Sequence, residues 1–305
     1  MIRYLYLGPV AYDEGLRLQE EMVALRQAGR VDDVLLLLEH PPVLTLGRNA
    51  NRSNILASDE LLASRGVTVH EINRGGDVTY HGPGQLVGYP IFDLHSLRNE
   101  SGGRFGPVDF VRGIEEALIR LCGVYGVLAG RIAGLAGVWC GTKGNRDQGL
   151  GIGASDEPTT SSTFGSAGPE RKIGAIGIHV SRGITSHGFA FNVTTDLRDF
   201  QLINPCGFTD RPVTSLEREV ADRATLPSLE SVAHQTARQF GIVFGEQVLA
   251  AESLAVLRGQ ASLSSTPQAQ LASPQVAPKV GDDITVQVPR EVERLRGIAN
   301  RPVRA

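Results

Sequence analysis

Three short segments place polar, basic or nucleophilic side chains beside glycine. The first is Arg74-Gly75-Gly76-Asp77-Val78-Thr79-Tyr80-His81-Gly82-Pro83-Gly84-Gln85. Its glycines admit φ > 0 and let a ligand approach the main chain closely. On glycine content alone the segment reads equally as an elaborate turn. The second is Lys172-Ile173-Gly174-Ala175-Ile176-Gly177-Ile178. An amine that opens an apolar strand is partly desolvated, which favours its neutral form and suits it to act as a base. The plainer alternative is a strand-end lysine snorkelling to water. Composition weighs against that alternative: Lys143, Lys172 and Lys279 are the three lysines among 30 basic residues, and arginine, used nearly everywhere else, cannot release a proton.

The third segment is Asn204-Pro205-Cys206-Gly207. A lone cysteine is commonly a small buried hydrophobe, but these neighbours are turn formers. A thiol on a turn is accessible, and a nearby base would hold it as the reactive thiolate. His187, in Ser186-His187-Gly188-Phe189-Ala190, is a weaker candidate, because a histidine beside a strand is often only hydrogen-bonded in place. Cys122, on the apolar face of an expected helix, and Cys140, after Val138-Trp139, read as packing residues.

The elements that must position these residues follow from apolar spacing. Leu18, Met22 and Leu25 predict a helix that Gly29 caps. Residues 34–38 are a continuous apolar run closed by His40-Pro41-Pro42, a buried strand. Strands are expected over residues 67–72 and 86–91, on either side of the glycine segment. A helix through Phe110, Ile114, Leu118 and Leu121 should end at Gly123. Residues 172–180 and 187–193 predict two strands joined through Ser181-Arg182-Gly183, and residues 229–240 a last core helix. The mixture lacks strict βαβ alternation, so the expected class is α+β.

The chain has 305 residues, 41% hydrophobic and 21% charged, enough for one large core or two modest ones. A net charge of -3 supplies no general drive toward nucleic acid or an anionic membrane. Three scattered cysteines form neither a disulfide framework nor a metal-ligand spacing, so no metal is expected. The N-terminus lacks a targeting pattern and no apolar run is long enough to span a bilayer. We expect a soluble, cytoplasmic protein. Residues 141–171 are rich in Gly, Ser and Thr and read as a long flexible insertion ending at Lys172. Residues 1–255 form the expected catalytic domain. Residues 256–305, rich at first in Ser, Pro, Gln and Ala, read as a linker and a poorly ordered accessory tail.

Taken in order, these segments resemble the lipoyl/octanoyl transferase family. RGGDVTYHGPGQLVGY, from Arg74 to Tyr89, matches its signature throughout. KIGAIGI resembles its catalytic-lysine strand, and SHGFAFNV and INPCG its substrate strand and cysteine turn. The likeness covers roughly residues 1–250. It implies the α+β catalytic domain shared with biotin and lipoate protein ligases, a mixed or antiparallel sheet packed with helices. By this resemblance Cys206 carries an acyl group and Lys172 lowers its pKa. Arg74, Gly75, Gly76, Asp77, Val78, Thr79, Tyr80 and His81, then Ala175, Ile176 and Gly177, then His187, Gly188, Phe189 and Ala190, would form the substrate pocket. The implied reaction moves an octanoyl or lipoyl group from an acyl carrier protein thioester to a lysine of a lipoyl domain, as the first step of endogenous protein lipoylation. It needs no cofactor beyond the carrier's phosphopantetheine. The implied partners are octanoyl-acyl carrier protein, the lipoyl domains of 2-oxoacid dehydrogenase E2 subunits and the glycine cleavage H protein. The long insertion and the tail depart from the family pattern.

Overall fold

The computed structural model describes residues 1–98, 102–141, 169–204 and 212–259. Cys206, Lys143, Lys279, most of the insertion and the tail beyond residue 259 lie outside the described residues.

Eleven strands and six α-helices alternate irregularly among the described residues: β1 (Ile2–Pro9), α1 (Tyr12–Gln27), β2 (Asp33–Glu39), β3 (Val43–Leu46), α2 (Asp59–Ser64), β4 (Thr68–Glu71), β5 (Val78–His81), β6 (Gln85–Ile91), α3 (Pro107–Val124), β7 (Ala129–Ile132), β8 (Leu135–Cys140), β9 (Arg171–Ser181), β10 (Ile184–Asn192), α4 (Leu216–Glu219), α5 (Leu229–Phe244), β11 (Val248–Ala250) and α6 (Leu254–Leu257). Eight strands form one mixed sheet in the order β11-β1-β2-β6-β10-β9-β8-β7, and β4-β3-β5 form a small second sheet. The class is α+β, with β1 parallel to both β2 and β11 and the other pairs of the large sheet antiparallel.

The helices divide the core. Phe110, Ile114, Leu118 and Leu121 of α3 and Phe240 and Phe244 of α5 bury with Phe92, Ile173 and Phe191 on one face of the large sheet. Each fully buried side chain of this size contributes about 1.5–3 kcal/mol by leaving water. On the other face Leu18 and Met22 of α1 bury with Leu36, Val87 and Ala190, joined by Leu254 and Leu257 of α6. The domain boundary expected at residue 255 falls inside α6.

Local chemistry explains the element ends. Gly29, at φ +66°, follows α1 as expected. Proline at the first position of α3, and the Asp109 carboxylate accepting the Gly106 N–H at 2.9 Å, start that helix. It runs through Gly123 to Val124, and the chain turns at Gly126, φ +71°. The expected stop at Gly123 is therefore corrected: the residue is helical, and a Cβ there would meet nothing within 4 Å. Helix α5 also extends beyond the expected Phe240, to Phe244, because Gly241 leaves room for Val248, whose Cγ2 would lie 2.4 Å from a Cβ. Arg182 and Gly183, both at positive φ, form the two-residue turn between β9 and β10.

Strands β6 and β10 approach so closely that a Cβ on Gly188 would lie 2.1 Å from the Gly88 carbonyl oxygen. Backbone cannot rotate away as a side chain can. We predict that Gly188→Ala lowers unfolding stability by about 1–3 kcal/mol, whereas Gly123→Ala raises it by about 0.5–1 kcal/mol. Urea midpoints at unchanged m-value check both.

Candidate active site

The glycine segment reaches the large sheet by backbone contact. Gly75 N–H donates to the Ile178 carbonyl at 3.0 Å, and a Cβ on Gly177 would lie 2.6 Å from the Gly75 oxygen. Glycine in β9 is thus what lets this segment lie on the strand. A cavity of about 210 Å³ results, between the small sheet and β6, β9 and β10. Arg74, Gly75, Gly76, Asp77, Val78, Thr79 and His81 line it from the first segment. Lys172, Ala175, Ile176 and Gly177 line it from β9, and His187, Gly188, Phe189 and Ala190 from β10.

Tyr80 is the one residue from Arg74 to His81 that does not line this cavity. Residues alternate sides along β5: Tyr80 packs with Leu44, Leu62 and Leu202, while Thr79 and His81 meet the cavity, which Val78, buried with Tyr80, also reaches. Its hydroxyl donates to the Asp199 carboxylate at 2.7 Å.

Lys172 opens β9 on the face opposite Ile173, which is fully buried in the α3 core. Its Nζ lies 4.6 Å from the ring centroid of Trp139, its neighbour on β8, a cation–π geometry. Its main chain pairs with the chain beyond the cysteine segment: Lys172 N–H donates to the Pro212 carbonyl, and Thr214 N–H donates to the Lys172 carbonyl, both at 2.9 Å. The Thr214 hydroxyl donates to Glu219 at 2.6 Å, a carboxylate that Arg171 grips with Nε at 2.8 Å and Nη2 at 3.0 Å.

The approach to the cysteine segment is tied down as well. Asn204 N–H donates to the Asn54 carbonyl at 2.7 Å. The Asn54 side-chain amide and the Asn51 N–H both donate to Asp77. Asp77 therefore serves as a clamp on the 51–54 turn. Residues 205–211, which include Cys206, lie outside the described residues, but both their flanks attach to candidate segments: Asn204 through Asn54 to Asp77, and Pro212 to Lys172.

Burial keeps the imidazoles of His81 and His187, in the cavity wall, and of His40, whose ring neighbours His81, neutral. Burial, and then the neighbouring His40, depress His81 to about 3. Burial and Arg74 depress His187 to about 4, and burial depresses His40 to about 4. His187 adopts φ +54°, rare outside glycine. Gln19 holds it by accepting its N–H at 2.8 Å, and Asn73 is hydrogen-bonded to Nε2 at 2.6 Å. Arg74 donates to the hydroxyl and carbonyl of Thr45 and to the Gly75 carbonyl. Cys122 and Cys140 are buried. Burial raises the Cys122 thiol well above its ordinary range and pushes Cys140 up to about 12, so neither is a thiolate near neutrality. Among the described residues no group of three His, Cys, Asp or Glu side chains is placed to hold a metal ion, and no helix is long and apolar enough to cross a membrane.

Tyr12, Gln85, Tyr89, Leu135, Asn192 and Val213 also line the cavity. Periodicity hides Tyr12 and Leu135 among ordinary apolar positions. Asn192 carries a legible signal, an amide directly after the apolar run Phe189-Ala190-Phe191.

Depressed histidine pKa values couple stability to pH. Between about pH 6.5 and 4 the unfolded chain binds protons at His40, His81 and His187 that the folded chain does not, so stability is complete above 6.5 and falls as pH drops. We predict a urea midpoint that decreases from pH 7 to pH 5, with each histidine costing up to about 1.4 kcal/mol per pH unit. A midpoint constant over that range would contradict neutral histidines.

The comparisons with known proteins agree with this architecture. A protein of Acidobacterium capsulatum named octanoyltransferase is 57% identical over 255 residues, 83% of this chain and 94% of that protein. One from Koribacter versatilis with the same name is 50% identical over 254 residues, covering 83% and 88%. The bipartite lipoate protein ligase of Thermoplasma acidophilum, solved in a study of its lipoylation system, shares the fold at TM-score 0.55 and 15% identity, covering 85% of this chain and 90% of its own. Lipoate-protein ligase A bound with ATP does so at TM-score 0.53 and 15% identity, covering 85% and 93%. Residues 11–241, which include both sheets' contributions to the cavity, match the lipoyl protein ligase A/B catalytic domain, and the chain belongs to that family.

Proposed function

We propose that this chain is a cytoplasmic octanoyltransferase. It takes an octanoyl group from the phosphopantetheine thioester of an acyl carrier protein, holds it on Cys206, and passes it to a lysine of a lipoyl domain. The recipients are the lipoyl domains of 2-oxoacid dehydrogenase E2 subunits and the glycine cleavage H protein. The enzyme uses no cofactor of its own. The observation that carries this reading is the attachment of Lys172 to the chain flanking Cys206, beside a cavity with Val87, Leu135, Ile176 and Phe189 in its wall. Relatives of 50% identity and more that are named octanoyltransferase support it.

In this mechanism Lys172 accepts the Sγ proton of Cys206, and the face of Trp139 favours the ammonium that results. The thiolate attacks the thioester carbonyl; the new C–S bond forms, the old one breaks, and the carrier thiol departs with the proton from Lys172. The neutral amine of the recipient lysine then attacks the acyl-cysteine. A C–N bond forms, Cys206 leaves as thiolate, and Lys172 takes the surplus amine proton. A thioester becomes an amide, so the transfer runs downhill without nucleotide. Each buried methylene of the acyl chain adds about 0.8 kcal/mol of binding, enough to sort chain lengths coarsely.

Transfer assayed with octanoyl-carrier protein and a lipoyl domain, without ATP, tests the reading. We predict that Cys206→Ala abolishes transfer and that Cys122→Ala leaves it nearly intact. Lys172→Arg keeps a positive charge but cannot accept a proton. That variant should still form some acyl-enzyme yet pass the group on at least about 10²-fold more slowly. An active Cys206→Ala enzyme, or an absolute requirement for ATP and free octanoate, would contradict the proposal.

A further inference from the structure

A chain of amide side chains crosses the floor of the cavity, and its hydrogen-bond direction can be deduced. The Thr214 carbonyl can only accept, so the atom of Asn192 facing it at 2.9 Å is the amide nitrogen. Asn192 therefore turns its oxygen to Gln85, whose facing atom at 2.9 Å must be nitrogen. The Tyr80 carbonyl, 3.2 Å from that same nitrogen, fixes the orientation a second time. Gln85 then presents its oxygen to Nδ1 of His81 at 2.8 Å, so Nδ1 must carry the proton. We infer that this relay locks His81 as its Nδ1–H tautomer and presents the Nε2 lone pair to the cavity as the acceptor for an N–H group of the substrate.

Three further observations support the assignment. His81 lines the cavity and keeps 8% of its surface exposed, and no hydrogen bond to Nε2 is made among the described residues. His40, Arg74 and His187, the titratable and charged groups that act on the ring, all disfavour an imidazolium there, as does its burial, and Tyr12 stacks against it with centroids 6.4 Å apart. A neutral ring so strongly resistant to protonation is a poor base and a good fixed acceptor. The relay also ends on Thr214, whose N–H is bonded to the Lys172 carbonyl, so the acceptor and the proposed base share one rigid frame. Gln85 and Asn192 are accordingly positioning residues.

The inference rests on the proposed transfer for the identity of its ligand. That reaction offers two N–H sources, the amides of the carrier's phosphopantetheine and the amine of the recipient lysine. The tautomer itself can be tested independently of any activity. In the ¹⁵N-histidine-labelled full chain, with His81 assigned by its loss in His81→Gln, we expect a protonated Nδ1 and a bare Nε2 at neutral pH. Gln85→Met should shift the population toward Nε2–H, and Gln85→Glu, which still accepts from Nδ1, should raise the His81 pKa. Wild-type Nε2–H or imidazolium, or a ring unmoved by both variants, overturns the relay. In single-turnover assays Gln85→Met should slow one half-reaction about tenfold, a change of the size expected for one hydrogen bond. Loss in acyl-enzyme formation identifies the pantetheine amides, and loss in transfer identifies the amine. No loss, or equal loss in both halves as general loosening would give, overturns the substrate contact.

Discussion

The backbone of Gly75 lies directly on β9, its N–H on the Ile178 carbonyl and its own oxygen in the space a Gly177 side chain would fill. This contact holds the small sheet against the large one and so creates the cavity. With the two sheets apposed, His81 and Asp77 reach the groups they bond to, Asp77 fastens the turn that receives Asn204, and the start of β9 pairs with residues 212–214. A larger side chain at Gly177 would push the glycine segment off the strand and loosen each of these in turn. The apolar cores on both faces of the large sheet supply the rigidity against which this contact is made.

The site combines neutral hydrogen-bonding groups with few free charges. Three imidazoles are kept unprotonated by burial, and the guanidinium of Arg74 is committed to Thr45 and Gly75 at the cavity wall. In the same cavity wall the Lys172 Nζ lies over the face of Trp139. The two described cysteines lie in the core with their thiols held protonated.

Much of this arrangement is legible in the sequence because it depends on local patterns. The i, i+4 spacing of Phe110, Ile114 and Leu118 and the apolar run of β2 reflect burial on one stripe or two faces. The glycines at 75 and 177 mark where main chains meet. The positions that escape are set by partners distant in sequence. Gly123 resembles a helix stop, yet α3 continues because the surrounding packing outweighs glycine's weak local preference. Tyr80 sits within the signature but faces away, since strand alternation decides its side. Asn192 and Gln85 acquire meaning only when β6 and β10 bring them together across 107 residues. Composition likewise does not register that Leu254 and Leu257 bury beside α1.

We propose that Cys206 carries the acyl group between donor and acceptor. Peptide-mapped mass spectrometry after mixing the full chain with octanoyl-carrier protein alone addresses it most directly. The account predicts a single octanoyl adduct on the peptide containing Cys206, hydroxylamine-labile as a thioester, that disappears when a lipoyl domain is added, at a rate matching turnover. Absence of an adduct, its appearance on Cys122 or Cys140, or an adduct that persists beside the lipoyl domain would contradict it.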